Sequence, residues 1–259
     1  MLHYTTYDDE KLERPWVTFV HGAGGSSAIW FKQIRDFSRH FNVLLVDLRG
    51  HGRSKKLGLN NLKAYNFQKV GDDVMEVLDY LKIRTTHFVG ISLGTIIVRE
   101  LTERFPGRTS SMIMGGAIMQ LNLRGQILMR MGNMFKSVIP YLMLYRLLAH
   151  VVMPSDKNKE SRILFINEAK KLYQKEFKRW FGLAAQVNPM LKYFRINDSG
   201  VPTLYIMGSE DYMFLPSISK LVKNHTSSRL HIISDCGHVV NVERPAEFNS
   251  IAIDYLRQI

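Results

Sequence analysis

Short apolar runs alternate with amphipathic stretches along most of this chain. Residues 17–20, 43–46, 87–91, 112–115, 203–207 and 230–233 are each rich in apolar or β-branched side chains and bounded by turn formers, the pattern of buried strands. Residues 67–81 instead place Val70, Val74, Val77, Leu78 and Leu81 at helical spacing. Residues 96–105 read as a second helix, stopped by Pro106 and Gly107. Strands alternating with helices predict a parallel sheet covered on both faces. The alternation breaks across residues 120–197, which are Met-rich, basic and helical in spacing, with Pro140 and Pro154 as interruptions. The strand pattern resumes at Val201. The chain therefore divides into a core of residues 1–119 and 198–259, with 120–197 as a helical cap inserted between two strands.

Charge sharpens that division. The 259 residues carry a formal net charge of +12. Across residues 120–197, fourteen Lys and Arg stand against four Asp and Glu, so the insert holds ten of those twelve charges. Its densest part is residues 157–180, where Lys170, Lys171, Lys175, Lys178 and Arg179 accompany Leu164, Phe165, Leu172, Phe177 and Trp180. A basic helix with an apolar complement can lie on an anionic membrane surface or receive an anionic leaving group. No nucleic-acid recognition motif accompanies the charge, so no nucleic-acid partner is expected. The single cysteine, Cys236, excludes an internal disulfide framework and a multi-thiolate zinc site. The first residues lack the basic start and apolar stretch of a signal peptide. No apolar run reaches the roughly 18 residues of a membrane-spanning helix. A soluble, cytoplasmic protein is the expectation.

The chemistry is concentrated in four places. Gly90-Ile91-Ser92-Leu93-Gly94 follows one apolar run and opens the helix of residues 96–105. A G-x-S-x-G turn in that strand-to-helix context lifts its serine out of the sheet, with small residues where strand and helix crowd. Ser92 is thus the candidate nucleophile. The run 17–20 empties into His21-Gly22-Ala23-Gly24-Gly25, a loop that can turn backbone N–H groups toward a developing oxyanion. The donors assigned are Ala23 and Leu93, and His21 is read as a structural histidine bonded to the loop. The loop matches neither G-x-x-x-x-G-K-[ST] nor G-x-G-x-x-G, which argues against phosphate binding.

His238 follows the last apolar run and is the candidate base, imidazole being the side chain that ordinarily changes charge near neutral pH. Glu210 and Asp211 both follow the run 203–207 and both qualify by position as the acid that orients it. Asp211 is preferred for its spacing from Gly208, with Glu210 as a solvated neighbour. The order Ser92, Asp211, His238 is the one expected for a nucleophile-elbow enzyme. No metal-ligand set such as H-E-x-x-H is present, and neither metal nor cofactor is expected.

These residues, with Asp47-Leu48-Arg49-Gly50-His51-Gly52-Arg53-Ser54, Gly208-Ser209-Glu210-Asp211 and Gly237-His238 followed by Glu243 and Pro245, resemble the α/β-hydrolase superfamily in its compact bacterial esterase, enol-lactonase and haloperoxidase-like branch. The resemblance covers most of the chain outside the insert. It implies an eight-stranded, mostly parallel sheet with a variable cap between strands six and seven, and a structural role for residues 47–54. Thr95 departs from it, standing where many members carry a second glycine. Serine at the elbow argues against the dehalogenases and epoxide hydrolases of this fold, which use aspartate there. Ser, His and Asp suit two-step acyl transfer to water. The leading expectation is a carboxylic ester hydrolase, with thioesterase, lactonase or carbon–carbon bond hydrolase on the same three residues as alternatives. A ligand-binding or receptor protein on a hydrolase scaffold is the non-enzymatic rival. Eight methionines from Met112 to Met153 (Met112, Met114, Met119, Met129, Met131, Met134, Met143 and Met153) suggest an adaptable apolar pocket for short-to-medium acyl groups. Met112 and Met114 are assigned to core packing, and those near Phe135 and Tyr141 to the pocket wall.

Overall fold

The computed structural model describes residues 1–8, 13–58, 66–121, 126, 134, 139–155, 158–185 and 187–259. All six apolar runs are strands: β2 (Trp16–Val20), β3 (Asn42–Val46), β4 (Thr86–Ile91), β5 (Thr109–Gly115), β6 (Thr203–Gly208) and β7 (Ser228–Ile233). One more strand, β1 (Tyr4–Tyr7), completes a sheet of order β1-β3-β2-β4-β5-β6-β7, parallel throughout except for β1. Among the described residues the sheet has seven strands, not the eight expected. β1 pairs only along its β3 side and forms that edge itself. Its sequence, Tyr-Thr-Thr-Tyr, is half-buried and too short to show a clear alternation.

The pleat explains the two cores. Successive side chains of a strand point to opposite faces. Val43 and Leu45 accordingly join one buried cluster, with Phe37 of α1 (Phe31–Phe37) and Phe248 of a C-terminal helix, whereas Leu44 and Val46 join the other. The second cluster takes Val70, Val74 and Leu78 from α2 (Phe67–Tyr80) and Ile97 and Leu101 from α3 (Leu93–Arg104). Asn66 caps α2, its side-chain oxygen accepting from the Lys69 N–H at 2.7 Å, the usual role of Asn at a helix start. α3 ends before Pro106, which cannot continue the ladder.

Among the described residues, the helices between β5 and β6 are α4 (Tyr141–Val152), α5 (Lys159–Ala169), α6 (Gln174–Ala185) and α7 (Asn188–Ile196). In this seven-stranded sheet the helical segment thus follows the fifth strand. α4 opens directly after Pro140 and closes before Pro154. Leu144, Tyr145, Ala169, Phe177 and Phe181 form a small core of their own within it. The remaining helices are α8 (Leu215–Val222), α9 (Val240–Glu243) and α10 (Pro245–Leu256). No described helix is long and apolar enough to cross a membrane.

The strand order positions the site. From β2 the chain passes outward to β3 and then returns past β2 to β4, so the loops leaving β2 and β4 diverge from neighbouring strand ends. Such a switch point opens a crevice at the carboxyl edge of a parallel sheet.

Candidate active site

Ser92 sits in that crevice, at the tip of the turn between β4 and α3. Its backbone is forced to φ 53°, ψ −123°, a strained region for a non-glycine residue. Close packing holds the turn. A Cβ on Gly94 would collide with the carbonyls of Val20 and His21, and one on Gly90 would crowd the Gly94–Thr95 peptide. The Ser92 N–H donates to Gly115 O at 3.0 Å. Thr95, the departure from the expected glycine, is buried, and its hydroxyl donates to Ser92 O at 2.6 Å.

Two further loops meet at the serine. His238 is buried, and its Nε2 lies 2.9 Å from Ser92 Oγ. Its Nδ1 lies 2.8 Å from Asp211 Oδ2. Asp211, also buried, accepts the Phe214 N–H on its other oxygen at 3.2 Å. With Nδ1 protonated, the imidazole donates to the carboxylate and accepts from the serine hydroxyl. Glu210 is half-exposed and ties to the histidine loop through its backbone N–H, which donates to Cys236 O at 2.8 Å. A Cβ on Gly208 would strike the carbonyls of Cys236 and Gly237, so a glycine there lets the acid loop close on the histidine loop. Glu243 braces His238 from both sides, accepting from Gly237 N–H at 2.7 Å and Val239 N–H at 3.3 Å. Burial first, then neighbouring Glu243, pushes the Cys236 thiol up to about 12, which leaves it protonated and inert.

The loop after β2 is fixed by two buried histidines. His21 Nδ1–H donates to Gly22 O at 2.8 Å, and its Nε2 accepts from Leu48 N–H at 3.0 Å. His51 Nδ1–H donates to Arg49 O at 3.0 Å, and its Nε2 accepts from Gly24 N–H at 2.9 Å. Gly22 O also receives the Gly25 N–H at 3.2 Å. The Gly22–Ala23 peptide is thereby held by its carbonyl, and in a trans peptide the Ala23 N–H points the opposite way. The Leu93 N–H is the first of α3, where backbone donors lack intrahelical partners. Residues 47–54, expected to be structural, are tied into the fold by Asp47, which accepts from the N–H groups of Ser27 and Arg53 at 2.7 and 2.8 Å. Arg49 pairs with buried Asp73 of α2 through two 2.6 Å contacts.

Burial holds both loop histidines neutral. His21 is shifted below its ordinary value by desolvation, and His51 falls to about 3 by desolvation and then by its neighbour His21. A neutral histidine that must be charged in the unfolded chain stabilises the fold fully above pH 6.5, its ordinary value, and loses that contribution as pH falls toward the folded value. Between pH 6 and 4 His51 should lower stability by about 1.4 kcal/mol per pH unit. Denaturant titrations over that range should be steeper for the wild type than for His51→Gln. Equal slopes would show that His51 does not carry this term.

Above the serine lies a cavity of about 360 Å³ with almost wholly apolar walls. Leu93 and Ile96 come from α3, and Leu148, Phe165 and Trp180 from the helical segment. Tyr145 of α4 is buried against the loop after β2, and its O–H donates to Ala23 O at 2.7 Å. Gly24, at φ 68°, makes room for that hydroxyl, which any Cβ would strike. The methionine reading needs correction. Met153 lines the cavity, but Met134 and Met143 are exposed, and Tyr141 packs on Phe177. Met112, Met114 and Met119 are core residues, while Met129, Met131 and Phe135 lie outside the described residues. The apolar face assigned to an interface is also mostly used internally: Leu172, Phe177 and Trp180 are buried. Lys170 and Lys175 are exposed, Lys178 is half-buried, Lys171 pairs with Glu168, Arg179 pairs with Glu176, and Lys157 lies outside the described residues. Among the described residues no group of three or more His, Cys, Asp or Glu could hold a metal ion.

Comparison with known proteins agrees with this architecture. A candidate carbamate hydrolase, RutD of Acinetobacter baylyi, is 23% identical over 271 residues, spanning 99% of this chain and 98% of its own length. The 2-hydroxy-6-oxo-6-phenylhexa-2,4-dienoate hydrolase of Comamonas testosteroni is 26% identical over 275 residues, covering 100% of this chain and 92% of its own. The crystal structure of the enol-lactonase from Burkholderia xenovorans superposes with a TM-score of 0.81 at 20% identity, over 99% of this chain and 96% of that one, a likeness of fold. The sequence profile of the alpha/beta hydrolase fold matches residues 15–245, and the chain belongs to that family.

Proposed function

We propose that this chain is a serine hydrolase that cleaves carboxylic esters of apolar, short-to-medium acyl groups. The observation that carries the reading is the unbroken chain Ser92–His238–Asp211, at 2.9 and 2.8 Å, beneath an apolar cavity. His238 Nε2 takes the proton as Ser92 Oγ attacks the ester carbonyl. The tetrahedral oxyanion forms against the N–H groups of Ala23 and Leu93, and His238 then returns the proton to the departing alcohol. Water, activated by the same imidazole, releases the acyl group and frees Ser92. The helical segment acts as a cap that keeps bulk water from the reacting atoms.

Aryl esters from acetate to laurate, with thioesters and lactones beside them, test the substrate class. Turnover should peak among uncharged aliphatic acyl groups, because an apolar wall offers no partner to a buried charge. A peak at charged or strongly polar acyl groups would refute the pocket assignment. Preference for lactones, or for the carbon–carbon bonds named for one relative, would keep the mechanism and replace the substrate.

Tyr145 links cap and chemistry in this scheme. With its hydroxyl on Ala23 O and His51 on Gly24 N–H, both ends of the Ala23–Gly24 peptide are fixed. Tyr145→Phe should lower kcat by about tenfold, the worth of one buried hydrogen bond, with KM for apolar esters changed by no more than about twofold. A rise in KM at constant kcat would make Tyr145 only a wall residue.

A second reading, contact of the cap with an anionic surface, is favoured by exposed Lys170 and Lys175 in a segment that also exposes Ile163. Co-sedimentation with anionic vesicles at low salt reads it directly.

A further inference from the structure

The cavity has few polar groups, and nearly all are engaged. Ser92 and His238 belong to the reacting chain. Both ring nitrogens of His51 and the hydroxyl of Tyr145 hold backbone groups. Glu168 accepts from Ser26 Oγ at 2.9 Å and pairs with Lys171. Ser161 differs. It lines the same cavity, it is 3% exposed, and its hydroxyl has no hydrogen-bond partner. An unsatisfied buried hydroxyl is a standing cost that a ligand can remove.

Its place on α5 defines a subsite. Ser161, Leu164, Phe165 and Glu168 all face the cavity, the i, i+3, i+4, i+7 stripe of one helix face. At 1.5 Å per residue the stripe runs about 10 Å, apolar in the middle, with Ser161 at its N-terminal end. That end is fixed beside the histidine loop: Asn158 donates to Glu243 at 2.9 Å, and the same carboxylate oxygen accepts from Gly237 N–H at 2.7 Å.

Resting on the ester hydrolase reading, we propose that the cavity receives an apolar substrate that carries one neutral accepting oxygen, a ketone or ether, away from the scissile carbonyl, and that Ser161 donates to it. The apolar wall excludes a charged group. A substrate hydroxyl would bring a donor and an acceptor into a place that satisfies one of them, whereas a carbonyl or ether oxygen is satisfied by the single hydrogen Ser161 offers.

The test compares a series of aliphatic esters in which one CH₂ is replaced by O or C=O at successive positions, each against its hydrocarbon parent, in wild type, Ser161→Ala and Ser161→Thr. At the best-placed position the ratio of kcat/KM, oxygenated over parent, should fall about five- to tenfold in Ser161→Ala, the size of one hydrogen bond. Ser161→Thr, which keeps the hydroxyl, should restore most of that ratio. The thermal midpoint of Ser161→Ala should not fall, because an orphan hydroxyl is being removed. An unchanged ratio at every position would overturn the proposal, as would a lowered midpoint with equal losses on both substrates. Wild-type protein that hydrolyses none of the esters would overturn the ester hydrolase reading itself.

Discussion

Replacing Ser92 with alanine is expected to remove ester turnover altogether, by a factor on the order of 10⁶, the size found when subtilisin loses its nucleophile. The variant should remain folded. The Ser92 side chain makes its hydrogen bond to His238, whereas the elbow is held by Gly90, Gly94 and the 3.0 Å bond from Ser92 N–H to Gly115 O. Labelling by a fluorophosphonate probe should disappear with activity. His238→Ala should lose activity to a comparable degree, since members of such a chain act as a unit. Normal turnover in Ser92→Ala, with the probe retained elsewhere, would sink the assignment. An inert wild type that refuses the probe would instead favour a binding protein on a hydrolase scaffold.

The second large effect concerns Asp211. Asp211→Asn should lower kcat by about 10⁴ with little change in stability, the consequence of the analogous change in a serine protease. The cause is the tautomer. The carboxylate accepts from His238 Nδ1–H and leaves Nε2 free to take the Ser92 proton. An amide can instead donate to Nδ1, which moves the ring proton to Nε2, where it blocks the serine. Glu210→Gln should be mild, because the backbone N–H that ties Glu210 to Cys236 O survives the change. Asp235 is exposed, at φ 49°, and Asp235→Asn should also be mild. Steady-state kinetics on the three variants rank them, and a larger loss in Glu210→Gln than in Asp211→Asn would reverse the choice of acid.

These residues were legible because each lies on a loop that leaves a recognisable strand. A parallel sheet brings those loops to one edge whatever their separation in sequence, so chain order and turn chemistry were enough to expect Ser92, Asp211 and His238 side by side, where the structure has them. The seventh strand was not legible: β1 is a four-residue edge segment with no continuous apolar run. Nor was the part played by Tyr145, which reaches Ala23 across 122 positions from within the helical segment. Helical periodicity there shows which face is apolar, not which neighbour that face meets. The same gap misdirected the reading of Leu172, Phe177 and Trp180, whose apolar face turns inward to the core. Glu243 and His51 stood inside motifs that were noticed, but their roles in bracing the histidine loop and the loop after β2 depend on distances of 2.7 and 2.9 Å that no spacing rule encodes.

An acyl-Ser92 intermediate is a covalent species, and its mass can be read in the protein itself. Wild-type protein mixed with an activated aryl ester and acid-quenched within the first turnover should gain the mass of one acyl group, on the tryptic peptide that contains Ser92. His238→Ala and Ser92→Ala should show no adduct on that peptide. Turnover of the ester with no adduct at any quench time, or an acyl group found on another residue while Ser92 stays free, would contradict the account.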